Sequence, residues 1–122
     1  MLKMLDIGID NAIAFRISGK VTEDDMELVF SEMKGKIRAY GDIVLYEQID
    51  SFDGVELAGI IDKIQYLFEM GISKISRVAI VTDKQWVSKI VCLENKIFRN
   101  VGMQCFPLEQ KAEAVDFLRS RE

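Results

Sequence analysis

"IVLYEQIDSFDGVEL", residues Ile43 to Leu57, holds the transition that decides the fold. Ile43-Val44-Leu45-Tyr46 is an unbroken apolar run. A strand with one wet face alternates apolar and polar residues, whereas a strand covered on both faces does not, so the run predicts a central strand. The polar cluster that follows gathers Asp50, Ser51, Asp53 and Glu56 around Gly54. Asp53 suits a helix N-cap, and Glu56, three residues on, has the spacing of a capping box. Phe52 then falls at N′ and Leu57 at N4, the two positions of a hydrophobic staple. Leu57, Ile60, Ile61, Ile64, Leu67 and Phe68 continue at helical spacing toward Gly71. A buried strand that runs through a capped start into a helix begins a β-α-β unit.

The rest of the chain extends that unit in both directions. Upstream, Leu5, Ile7 and Ile9 alternate with polar residues, and so do Ile13, Phe15 and Ile17. Asp10-Asn11 between them suits a tight turn, which predicts an antiparallel hairpin. Thr22, with Asp25 at the capping-box position, opens a first helix. Its apolar stripe is Met26, Val29, Phe30, Met33, Ile37 and Tyr40, its charges follow the helix dipole, and Gly41 closes it. Gly35 inside this helix costs about 1 kcal/mol relative to Ala, which implies a close packing contact or a bend. Downstream, Val78-Ala79-Ile80-Val81 predicts a second buried strand and Lys84 to Arg99 a third helix. Met103 to Phe106 reads as a further strand, stopped by Pro107. Glu109 to Arg119 reads as a closing helix with Ala112, Val115 and Leu118 inward. The order is β-β-α-β-α-β-α-β-α. It predicts a single α/β domain over residues 1–122, with a single-layer, mixed, mostly parallel sheet of about five strands and four helices.

Composition narrows function by exclusion. The chain has 122 residues, a net charge of −4 and no histidine. Without histidine, Ser-His-Asp and Cys-His catalysis and the commonest general base near neutrality are removed. The acidic balance argues against nucleic acid as a partner. Cys92 and Cys105 lie thirteen residues apart, match no zinc pattern and are expected to be inert thiols in a reducing compartment. No apolar run is long enough to span a bilayer, and the N-terminus does not read as a signal peptide, so a cytoplasmic protein is expected.

Several segments, in this order, resemble the SpoIIAA-like family, relatives of the STAS domain. They are Gly19 with Thr22-Glu23-Asp24-Asp25, the stretch Ile49 to Gly54, the run Arg77 to Trp86, and Cys105-Phe106 with Ala112, Ala114 and Leu118. The resemblance covers nearly the whole chain. It implies a generally non-enzymatic binding or regulatory module; no cofactor is expected. Anti-anti-sigma factors carry Asp-Ser-Ser-Gly at the turn after the third strand, and the serine directly before the glycine is phosphorylated. Here Asp53 stands directly before Gly54, and Ser51 is three positions away from it. The phosphoserine switch is therefore not expected. The STAS fold is also similar to lipid-binding CRAL-TRIO domains, which makes a small hydrophobic ligand the alternative.

Two candidate surfaces follow. Ser51, Asp53, Gly54 and Asp83 lie in loops expected at the carboxyl edge of a parallel sheet, where α/β proteins usually bind ligands. Asp53 and Asp83 also invite Mg²⁺, but each reads as an N-cap, and no third acidic ligand or phosphate loop accompanies them, so no metal is assigned. The second surface is apolar. Tyr66 and Met70 on the second helix, with Trp86, Ile90 and Ile97 on the third, extend the apolar faces beyond a core stripe. Deep core packing, a lipophilic pocket, a homodimer interface or peripheral membrane contact would each cover them. Lys84, Lys89, Lys96 and Arg99 suit anionic headgroups in the last case. The expectation is a module that binds a protein partner or a small hydrophobic ligand.

Overall fold

The computed structural model describes residues 1–50, 74–83 and 102–119. Five strands, β1 (Leu2–Leu5), β2 (Ala12–Ile17), β3 (Ile43–Ile49), β4 (Ile75–Thr82) and β5 (Gly102–Phe106), form one sheet in the order β1-β2-β3-β4-β5. β1 pairs antiparallel with β2, and every other neighbouring pair is parallel. The mixed, mostly parallel five-stranded sheet is the one the sequence predicts. Among the described residues there are two α-helices, α1 (Glu23–Tyr40) and α2 (Lys111–Arg119), where four were expected. The other two expected helices, over Leu57–Phe68 and Lys84–Arg99, lie outside the described residues.

α1 begins as its sequence dictates. The Thr22 side chain accepts from the Asp25 backbone N–H at 3.2 Å, and the Asp25 carboxylate accepts from the Thr22 N–H at 3.0 Å. Two of the donors that a helix start leaves open are thereby satisfied reciprocally. At the other end Gly41 adopts φ 88°, and its N–H reaches the Ile37 carbonyl. Only glycine enters that region without strain, so the helix stops there. Gly35 does not mark a close contact: a Cβ built on it meets nothing within 4 Å.

The two helices cover opposite faces of the sheet. Val29 and Met33 of α1 pack on Ile13, Phe15, Ile43, Leu45, Val78 and Ile80. Ala114 and Leu118 of α2 pack on Ala12, Ala14, Val44, Tyr46, Ala79 and Val81. β3 and β4, buried on both sides, are continuous apolar runs at their centres for this reason.

Two expectations shift. Ile7 and Ile9 are not strand residues; they belong to the connection from β1 to β2, which turns at Gly8 with φ 76°. The Asp6 carboxylate accepts from the Gly8 N–H at 2.9 Å and fixes that turn. Ile7 and Ile9 still alternate inward because the connection lies over the α2 face of the sheet. The closing helix begins with a 3-10 turn at Leu108–Gln110 and becomes α-helical only at Lys111. Within α2 Ala112 is exposed and Ala114 is buried beside Leu118, because Ala114 lies one turn before Leu118 whereas Ala112, six residues before it, falls on another side of the helix.

Candidate functional site

β3 stays a strand through Ile49, three residues beyond the apolar run, so Glu47 and Gln48 are strand residues and both are buried. A strand alternates its side chains, so Tyr46, Gln48 and Asp50 succeed one another along the α2 face. The Tyr46 hydroxyl donates to Gln48 Oε1 at 3.2 Å, and Gln48 Nε2 donates to Asp50 Oδ1 at 3.0 Å. Arg16 Nε, from β2, donates to the other carboxylate oxygen, Asp50 Oδ2. Parallel pairing sets this up, since Arg16 is the register partner of Gln48. The Asp50 backbone N–H is held as well, by the Ile17 carbonyl at 2.9 Å.

A hydrogen-bonded line therefore runs from the core at Tyr46 to the carboxyl edge at Asp50, where Arg16 closes it. Burial pushes the Asp50 carboxyl up, but the hydrogen bonds from Gln48 and Arg16 and the positive charges of Arg16 and Lys111 outweigh it, leaving the carboxyl below its ordinary value. Asp50 is thus held ionised. Burial, helped by the Asp50 charge, pushes the Tyr46 phenol up, so it stays a neutral donor. Neither group is tuned toward neutral pH, where a general acid or base works best. Reading the apolar run as the end of the strand at Tyr46 hides this line. Its signal in the sequence is the spacing Tyr46-x-Gln48-x-Asp50, a period of two.

The opposite face of β3 carries Glu47, which pairs with Ile80, itself paired with Cys105. Burial, followed by the negative charge of Glu47, pushes the Cys105 thiol up, away from the thiolate that nucleophilic chemistry needs.

Of the residues singled out from the sequence, Asp83 is exposed and directly follows β4. Ile49 pairs with Thr82, whose hydroxyl donates to the Ile49 carbonyl at 3.0 Å. Asp50 and Asp83 thus leave the sheet side by side, each one residue beyond the same pair. Ser51, Asp53, Gly54, Tyr66, Met70, Trp86, Ile90 and Ile97 lie outside the described residues. Among the described residues no group of three or more Cys, Asp or Glu side chains could hold a metal ion. Nor, among them, is any helix long and apolar enough to cross a membrane.

The chain shows likeness to known proteins at two levels. The SpoIIAA-like family model matches residues 12–119. A crystal structure of an uncharacterised protein from Shewanella loihica PV-4, of the DUF3478 family and with a SpoIIAA-like fold, superposes with a TM-score of 0.70. The match covers 97% of this chain and 92% of that one at 23% identity, which is a likeness of fold. No curated protein matches the sequence.

Proposed function

From the premise that the chain belongs to the SpoIIAA-like family, we propose that it is a non-enzymatic binding or regulatory module that receives a protein partner at the carboxyl edge of its sheet. Ser51, Asp53, Gly54 and Asp83 form the contact surface in this reading. The observation that carries it is the anchoring of Asp50. Two side-chain hydrogen bonds and one backbone hydrogen bond fix the point where the chain leaves β3, directly before Ser51. A recognition loop held on a rigid strand end loses less freedom on binding.

Two further observations support the reading. In doubly wound folds small ligands enter a crevice where the strand order reverses. The parallel strands β2, β3, β4 and β5 follow one another without reversal, so the edge suits a broad macromolecular contact better than a small substrate. The line that ends at this edge holds Asp50 as an anion and Tyr46, in the core behind it, as a neutral phenol, which suits positioning more than proton transfer. With Asp53 in the place of the phosphorylated serine, binding is constitutive.

A photo-crosslinking residue placed at position 83 in the cells of origin tests this. The expected result is an adduct of one reproducible mass, absent when the crosslinker stands at exposed Glu32 on α1 and weakened by Arg16→Met. Equal labelling from both positions would count against the edge as the contact surface. A saturable shift of Trp86 fluorescence with anionic vesicles, without any adduct at position 83, would favour the hydrophobic-ligand reading instead. Intact-mass analysis showing a phosphorylated Ser51 would contradict constitutive binding.

A further inference from the structure

At the amino edge of the sheet, opposite the surface discussed above, a cleft of about 480 Å³ opens between the β1–β2 connection, the starts of β3 and β4, and the end of α2. Its volume falls within the range of small-molecule sites, about 300–1,000 Å³. Ile9, Val44 and Leu118 give it apolar walls, and Asp10, Asp42 and Arg119 bring charges of both signs to it.

The polar groups of the cleft divide into two sets. Some are committed to the fold: Asn11 Nδ2 donates to the Asp42 carbonyl at 3.2 Å, Ser76 Oγ to the Ile43 carbonyl at 3.3 Å, and Arg77 Nη1 to the Phe117 carbonyl at 2.8 Å. The carboxylates of Asp10 and Asp42 and the guanidinium of Arg119 are not. None of the three makes a side-chain hydrogen bond or ion pair among the described residues, although all line the same space. The Arg119 guanidinium lies over the turn at Gly8, where a built Cβ would meet Nη2 at 3.5 Å. Acid and base therefore share the cleft without neutralising each other across it.

A ligand with one charge would satisfy one sign and partly desolvate the other without a partner, which is unfavourable. A ligand with both charges satisfies both. We propose that this cleft binds a small zwitterion with an apolar side chain, of the α-amino acid class. Its ammonium faces Asp10 and Asp42, its carboxylate faces Arg119 in the two-pronged geometry guanidinium favours, and its side chain lies on Ile9, Val44 and Leu118. The site is independent of the partner surface at the carboxyl edge, so either stands if the other fails.

The test is a titration of the isotope-labelled full chain with L-leucine, followed by amide NMR. Saturable shifts are expected at Gly8, Asn11, Asp42 and Ser76. Two analogues that each keep one charge, 3-methylbutylamine and 4-methylpentanoate, should bind at least about tenfold more weakly, the worth of one charge-assisted contact. Asp42→Asn and Arg119→Gln should each weaken L-leucine by about tenfold as well. Asp42 and Arg119 are exposed, so both variants are expected to fold, and the analogue series needs no variant at all. Absence of saturable shifts at those amides with L-leucine overturns the proposal, as does equal affinity for either single-charge analogue.

Discussion

Replacing Gln48 by Leu cuts the line between Tyr46 and Asp50 at its middle and puts an apolar side chain of similar size in the place of the amide. Two losses follow from the geometry. Asp50 loses the donor at 3.0 Å, and a hydrogen bond to an ionised group contributes about 1.5–3 kcal/mol. The Tyr46 hydroxyl, on a residue only 2% exposed, loses its acceptor, and leaving a buried hydroxyl unpaired costs about 1–3 kcal/mol. Burial of the leucine methyl groups offsets about 1–2 kcal/mol of this. The net expectation is a loss of about 2 kcal/mol in urea unfolding at neutral pH. The decisive comparison is the double variant with Tyr46→Phe. Alone, Tyr46→Phe should cost about 1 kcal/mol, because it removes one hydrogen bond. In the Gln48→Leu background it should cost nothing or stabilise, because the hydroxyl it removes has no acceptor left there. The two changes should therefore miss additivity by about 1–2 kcal/mol. Additivity within about 0.5 kcal/mol would refute the line as described. The pH dependence gives a second reading. Asp50 has a folded-state value below its unfolded one, so its contribution is fully present above the unfolded carboxylate value, about 3.9, and is lost as pH falls through the folded value. The gap between the native chain and Gln48→Leu should narrow over that acid range.

Three other outcomes follow from particular residues. Thr22→Ala removes the hydroxyl that caps α1 and should lower stability by about 1 kcal/mol in denaturant unfolding, with an unchanged m-value. Gly35→Ala should raise stability by about 0.4–1 kcal/mol, because the methyl group meets nothing and the unfolded chain loses freedom; a loss of stability would mean that the helix is bent there. Cys105, whose thiol is pushed up by burial and then by Glu47, should react with iodoacetamide more slowly at pH 8.5 than free cysteine, which has a pKa of about 8.5.

Local chemistry was legible where a few neighbouring residues suffice to specify it. Thr22 with Asp25 names the start of α1 because both partners sit within one turn. Ile43 to Tyr46 names a central strand because it needs cover on both faces. The structure departs from the sequence pattern where a local turn interrupts it or where a distant partner acts. Ile7 and Ile9 have the period of a strand, but Gly8 and the Asp6 side chain bend the chain away, and the connection satisfies the same inward pattern. Ala112, Val115 and Leu118 are spaced by three and three, which drifts off one face of an α-helix, so Ala114, four residues before Leu118, takes the inward place. The Asp50 anchor was the largest omission. Arg16 lies thirty-four residues away in sequence, and only the parallel register of β2 against β3 brings it beside Gln48. Of the candidate site itself, the position of Asp83 at the carboxyl edge was readable from the order of elements. No residue pattern could announce that Asp50 leaves the sheet beside it, because that follows from how Ile49 and Thr82 pair.

The strand order also has a consequence for synthesis. Each strand hydrogen-bonds to the one made just before it, so no later strand has to be inserted between two already in place. The sheet can therefore be assembled in the order of synthesis, with β1 and β2 able to close as a local hairpin and β3, β4 and β5 added in turn at one edge. Until β5 arrives, that edge is an open row of backbone donors and acceptors. A chain in which β4 has emerged and β5 has not would present as its edge a strand whose centre is apolar and buried in the finished fold, open to pairing with another chain.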